Sequence, residues 1–201
     1  NGTTVVNFTA ADGLSGGKVM GIFVDADDVL WCANEGVTLS RFDPNGFTHF
    51  TDRDGIIGGI NHHAVGVTVM GGDEDERCWS GRGWAGILRT DGKTIEPPIA
   101  PITPTSDMVR APDGTLWFGG GEGLFRYQDG KAVHVIERRW VAALRSDQEG
   151  NLWYGDGFQS GGLSRYNPKT REEKTYTTKD GLPENNVWSI EPAADGGLWV
   201  G

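Results

Sequence analysis

Five of the eight tryptophans recur inside one fixed frame: Trp31, Trp79, Trp117, Trp153 and Trp199. Four follow leucine and one follows Cys78. Nine residues earlier stands an apolar residue: Ile22, Met70, Met108, Leu144, Ile190. Twelve residues earlier stand Val19, Val67, Thr105, Val141 and Val187. Four residues earlier the chain is always acidic: Asp27, Asp75, Asp113, Glu149, Asp195. Two residues later come Ala33, Gly81, Gly119, Gly155 and Gly201. A frame repeated five times means one supersecondary unit repeated.

Each unit reads as four short strands. In the last complete one, VAALRS, NLWYG, GGLSRY and EEKTYT are runs of four to six residues separated by Asp, Gly, Asn and Pro. That is an all-β pattern. The acidic-Gly pairs Asp113-Gly114, Glu149-Gly150 and Asp195-Gly196 mark turns, because Gly takes positive φ freely and Asp bonds its own following backbone. In the first two units Asp28 and Glu76 replace that Gly, and those turns are expected to be less regular. The third strand carries Leu or Ile, one residue, then Arg: Arg41, Arg89, Arg126, Arg165. An aromatic, three residues and Asp-Gly mark the exit, as in Phe8 to Gly13, Phe50 to Gly55 and Tyr176 to Gly181.

Units of 36 to 48 residues with four strands each are propeller blades, which bury their faces against one another. The expected architecture is a β-propeller fragment with about four complete four-stranded blades and partial blades at both ends. The expected bounds are a remnant over 1–14, blades over 15–55, 56–101, 102–137 and 138–182, and a partial blade over 183–201. The N-terminal stretch reads as a fourth strand alone, and the chain stops two residues after Trp199. A longer propeller is expected, with a closed five-bladed ring as the alternative. The first residue is Asn, so the natural start is expected upstream. Open blade faces predict poor solubility for residues 1–201 alone.

Composition removes several classes of function. The formal net charge is −10, against a general nucleic-acid binder, which needs a positive surface. There is no run of 18 apolar residues, so this segment is expected to make no membrane contact. Cys32 and Cys78 lie on opposite faces of their strands and read as small apolar fillers. No GxSxG, HExxH or phosphate loop occurs, so no catalytic residue and no cofactor is assigned.

Residues 161–201 run GGLSRYNPKTREEKTYTTKDGLPENNVWSIEPAADGGLWVG. This resembles the two-component regulator propeller repeat, with its GLxRY strand, DGLPxNxV link and D-G-x-LW-V-G hairpin. The likeness is good over 12–55 and 105–127 and weak over 56–104. It implies the extracytoplasmic sensor of a signal-transduction protein, periplasmic or extracellular in a bacterium. Its implied partners are the rest of the propeller, downstream signalling domains and a saccharide-like ligand, possessing no cofactor. A less close resemblance is to the streptogramin-lyase propellers. That alternative would use His62 or His63 as base and Glu122 as acid. A protein-interaction scaffold without small ligand is the third reading.

The loops that lead into first strands and those joining second to third strands open on one face, the expected ligand face. Glu137-Arg138-Arg139-Trp140 stands there. Two arginines beside a ring suit an acidic sugar, with forked donors for the anion and a flat face for stacking. Trp84, and Phe158 with Gln159, are further candidate platforms, and His62 and Asn185 complete the set. Adjacent His62 and His63 would point apart on a strand, so no metal site is expected. The run Asp73 to Glu76 reads as a solvated hairpin tip.

Overall fold

A computed structural model of the chain describes residues 5–15, 18–25, 27–34, 38–54, 67–72, 78–82, 86–90, 93–96, 105–137, 140–158, 161–193 and 195–201. Described residues form strands, turns and short 3-10 turns, with no α-helix. The first sheet comprises β1 (Val19–Val24), β2 (Leu30–Asn34), β3 (Thr38–Asp43) and β4 (Gly46–Phe50). The second holds β5 (Val67–Gly72), β6 (Cys78–Arg82), β7 (Gly86–Thr90) and β8 (Ile95–Glu96). The third holds β9 (Thr105–Arg110), β10 (Leu116–Gly120), β11 (Gly123–Gln128) and β12 (Lys131–Glu137). The fourth holds β13 (Ala143–Ser146), β14 (Leu152–Gly155), β15 (Leu163–Tyr166) and β16 (Glu173–Tyr176). The fifth is the hairpin β17 (Ile190–Pro192) and β18 (Leu198–Val200). Strands pair in sequence order within every sheet. The first strands stand side by side, β1 by β5, β5 by β9, β9 by β13 and β13 by β17.

The turn before each tryptophan repeats atom for atom in the four sheets where it is described. The N–H six residues before Trp donates to the carbonyl two before it, and the N–H three before donates back. The pairs are Asp25–Val29 with Asp28–Asp25, Ala111–Thr115 with Gly114–Ala111, Asp147–Asn151 with Gly150–Asp147, and Ala193–Gly197 with Gly196–Ala193. The position three before Trp is left-handed each time, with φ of 83° at Gly114, 84° at Gly150 and 87° at Gly196. Asp28 takes the same conformation at φ 59°. The expectation of an irregular first turn is therefore corrected: Asp tolerates the left-handed region, and the two backbone bonds hold it there. Glu76 lies outside the described residues.

The frame's valine and small residue meet between sheets. Val141 N–H donates to Gly120 O at 3.0 Å, and Val187 N–H to Asp156 O at 3.0 Å. A Cβ on Gly119 would lie 2.3 Å from Val141 Cγ1, and one on Gly155 would lie 2.5 Å from both Val187 Cγ1 and Val187 O. A Cβ would meet the Val141 side chain at Gly119, and both the side chain and the backbone of Val187 at Gly155, so glycine relieves a close approach at both joints. Beside this joint the third and fourth sheets share a core of Trp117, Leu124, Val141, Leu144, Leu152, Tyr154 and Tyr166. Asp107 on β9 accepts from Leu144 N at 2.8 Å and from Arg145 at 2.9 Å, and Arg145 lies 3.5 Å from Glu191. Burial pushes the Asp107 carboxyl above its ordinary range even though Arg145 opposes this.

The exit motif is a capping box around a 3-10 turn. Thr9 and Asp12 exchange bonds with each other's backbone, as do Thr177 and Asp180, and Gly13 and Gly181 follow at φ 95° and 105°. The bonds from Thr9 hold the Asp12 carboxyl below its ordinary range.

The arc is open. Among the described residues the fifth sheet has two strands and takes none from the N-terminus. This corrects the closed five-bladed alternative. Residues 5–9 belong to no sheet, against the expected strand. Among the described residues the fifth sheet has no third strand for them to pair with. Phe8 instead packs on Phe42 and Phe47, with ring centroids 4.8 and 5.7 Å away. Trp31 and Trp117 are buried at 2% and 3% exposure, whereas Trp199, at the open end, is 73% exposed. The same side chain in the same frame changes solvent contact only because a neighbouring sheet is or is not beside it.

Candidate functional site

Three aromatic rings meet at the loop end of the fourth sheet. Trp140 leads into β13, Phe158 lies between β14 and β15, and Trp188 leads into β17. Trp140 and Phe158 have ring centroids 4.8 Å apart at 82°, and Phe158 and Trp188 4.4 Å apart at 79°. Edge-to-face pairing at these distances is favourable. Phe158 is 60% exposed and Trp188 51%. These two rings form an exposed apolar patch at the loop end.

The backbone beneath them is fixed. Asp156 is buried, and its Oδ1 accepts from Phe158 N at 3.1 Å, which sets the loop's direction. Gly157 lies under Trp188: a Cβ there would come within 2.7 Å of the indole. Asp156 also accepts from Val187 through its carbonyl, so the loops of the fourth and fifth sheets are tied together. Apolar platforms on a tied backbone form a preformed surface whose ordering cost is already met by the fold.

The expected site residues divide. Trp140 and Phe158 come together. Asn185 is turned to the scaffold: its Oδ1 accepts from Thr178 N and its carbonyl from Gly162 N, both at 2.8 Å. Trp84, Arg138, Arg139, Gln159, His62 and His63, and the run Asp73 to Glu76, lie outside the described residues. Trp188 is the residue the sequence reading passed over. It was legible, since three of the eight tryptophans fall outside the frame and Trp188 is one of them with Trp84 and Trp140. It was hidden by its place in an apolar run, which suggested strand; β17 begins only at Ile190.

Other polar groupings belong to the scaffold. Ser40 Oγ lies 3.0 Å from His49 Nδ1, a spacing suited to a nucleophile and its base. Ser40 is wholly buried, however, and His49 Nε2 donates to Gly13 O at 2.7 Å. His134 makes the matching bond to Glu122 O at 2.7 Å in the third sheet, with Phe125 in place of the serine. The histidines brace loops. Burial pushes the thiol of Cys32, which is unpaired, above its ordinary range. No group of three His, Cys, Asp or Glu that could hold a metal occurs among the described residues.

Sequential four-stranded antiparallel sheets around a common axis define an all-β, propeller-type protein. The family model described as "Two component regulator propeller" matches residues 181–201. No curated protein matches the chain. Among solved structures it is similar to the extracellular domain of the hybrid two component system BT3049 from B. thetaiotaomicron. Identity is 14% and TM-score 0.72, over 91% of this chain and 25% of that one. It is also similar to virginiamycin B lyase from Staphylococcus aureus, at 16% identity and TM-score 0.69, over 91% of this chain and 62% of that one. The extracellular domain of the hybrid two component system BT4673, also from B. thetaiotaomicron, gives 15% identity and TM-score 0.54, over 91% and 36%. The chain thus spans a quarter to under two thirds of these relatives. At such identities the likeness is one of fold.

Proposed function

We propose that the chain is part of an extracytoplasmic ligand-sensing propeller of a signalling protein, and that it binds a saccharide-like ligand on its loop face. The carrying observation is the trio of half-buried Trp140 with exposed Phe158 and Trp188. A sugar ring offers a C–H face that packs on an aromatic face, and hydroxyls that bond to nearby polar groups. Two near-perpendicular contacts make a stepped surface, which suits a linked chain of sugars better than one flat ring. The repeat and the likeness to extracellular domains of hybrid two component systems support a sensor outside the cytoplasm, coupled to signalling domains elsewhere in the protein. Binding without turnover is the reading that goes with that role.

A glycan array on the whole protein tests it. Binding is expected, and Trp140→Ala and Trp188→Ala should each weaken it by about tenfold. Binding that survives both substitutions would move the ligand elsewhere. Breakdown of a bound glycan by the purified protein would replace the sensor with an enzyme.

A further inference from the structure

Four arginines occupy one register position, each the cross-strand partner of a frame tryptophan: Trp31 with Arg41, Trp79 with Arg89, Trp117 with Arg126, Trp153 with Arg165. Three of them face carboxylates. Arg41 pairs with Asp43, Arg89 with Glu96 at 2.7 Å, and Arg165 lies 3.8 Å from Asp147 and 3.5 Å from Glu149. Arg126 has no ion pair among the described residues; its Nη2 donates to the neutral Gln128 Oε1. Ala111 stands where Asp147 stands in the fourth sheet, and Gln128 stands where Asp43 stands in the first. Asp113, at the position of Glu149, is turned onto Thr115 N–H at 3.0 Å. The Nε of Arg126, like that of Arg165, is buried with no acceptor, but Arg165 has Asp147 and Glu149 beside it and Arg126 has no carboxylate. A charged donor in that state is costly unless something else supplies an anion.

Arg126 opens onto a cleft of about 270 Å³ between the third and fourth sheets. Trp117 and Tyr166, in edge contact at 6.3 Å, line it with Pro168 and Arg171. Arg171 has no ion pair among the described residues, and its backbone is left-handed at φ 63°. The matching hairpins of the first and third sheets place Gly46 and Gly130 in that region, at φ 108° and 76°. An arginine where glycine is easier is a strained choice, and strain held at one residue points to a use for its side chain. Two guanidinium groups without a carboxylate partner among the described residues therefore face one cleft in a chain of net charge −10. The β15–β16 hairpin puts the cleft at the end of the fourth sheet opposite Phe158, apart from the aromatic trio.

We infer that the Arg126–Arg171 cleft binds an oxyanion of the sulfate type, free or carried on a larger ligand. Guanidinium forks match such an anion with paired donors. The volume leaves room for a group attached to it. The inference does not depend on the loop-face reading.

The test is calorimetric titration of the whole protein with sodium sulfate, against sodium chloride at equal ionic strength. Saturable sulfate binding is expected, weakened about tenfold in Arg126→Gln and in Arg171→Gly. Arg171→Gly relieves the left-handed strain, so it keeps the fold even where Arg126→Gln loses it. Trp140→Ala should leave sulfate binding unchanged. Glucose 6-sulfate is the second probe: tighter binding than sulfate identifies a saccharide-borne group, and equal or weaker binding the free ion. Absence of saturable binding by both probes, or equal affinity in Arg171→Gly, overturns the site.

Discussion

At one end of the fourth sheet, Asp147 gathers the turn. Its Oδ1 accepts from Glu149 N and Asn151 N, its Oδ2 accepts from Trp153 Nε1 at 3.0 Å, and Arg165 lies beside it. At the other end, Phe158 and Trp188 stand in solvent beside half-buried Trp140, above a fixed backbone. The four strands of the fourth sheet carry the first end and two of the three rings, and the fifth sheet supplies Trp188. One end spends its polar groups on itself and gains stability; the other leaves large apolar rings uncovered, which does little for stability. Stability and recognition are thus assigned to opposite edges of one sheet, and substitutions at the two edges should fail in different ways.

The joint between the sheets should respond most. Gly155→Ala is expected to cost about 3 kcal/mol, since its Cβ would meet Val187 backbone and side chain at once. Chemical denaturation measures it, and a neutral result would mean that the sheets can slide apart. Next comes the turn: Asp147→Ala should cost about 2 kcal/mol, by stranding Trp153 Nε1 and two turn N–H groups, with glycan binding unchanged. Phe158→Ala should do the reverse, moving stability by no more than about 1 kcal/mol while weakening glycan binding. Equal loss of stability at both ends would erase the contrast.

The smallest effect is one of pH. Burial raises the Asp147 carboxyl, but hydrogen bonds from Asn151 and Trp153 outweigh it, so the group titrates below its ordinary 3.8. A depressed carboxylate contributes stability that is present above its unfolded value and is lost as pH falls through the folded one. The melting temperature of the wild type should therefore fall more steeply below about pH 4 than that of Asp147→Asn. Parallel curves would mean that the bonds to Asp147 do not distinguish its two protonation states.

Much of this was legible beforehand. The acidic residue four before Trp does cap the turn at Asp113 and Asp195, where alanine stands six before Trp. At Asp25 and Asp147 the carboxylate six before Trp takes over that work and also holds the indole N–H. Two solutions to one turn look like a single loose consensus in sequence. The loop face was legible from strand order alone, and it placed Trp140 and Phe158 correctly on one edge. Their contact, and Trp188 as its third member, was not: each ring comes from a different loop, separated by up to 48 residues of chain between Trp140 and Trp188.

By itself the sequence determined the repeat, the strands, the left-handed turn positions and the small residues at the joints. These are local: backbone sterics and hydrogen bonds within a few residues decide them. The tertiary structure decided which tryptophans are core and which rings meet. Those outcomes depend on what the adjacent sheet places opposite a side chain. A frame shared by every sheet cannot encode a neighbour.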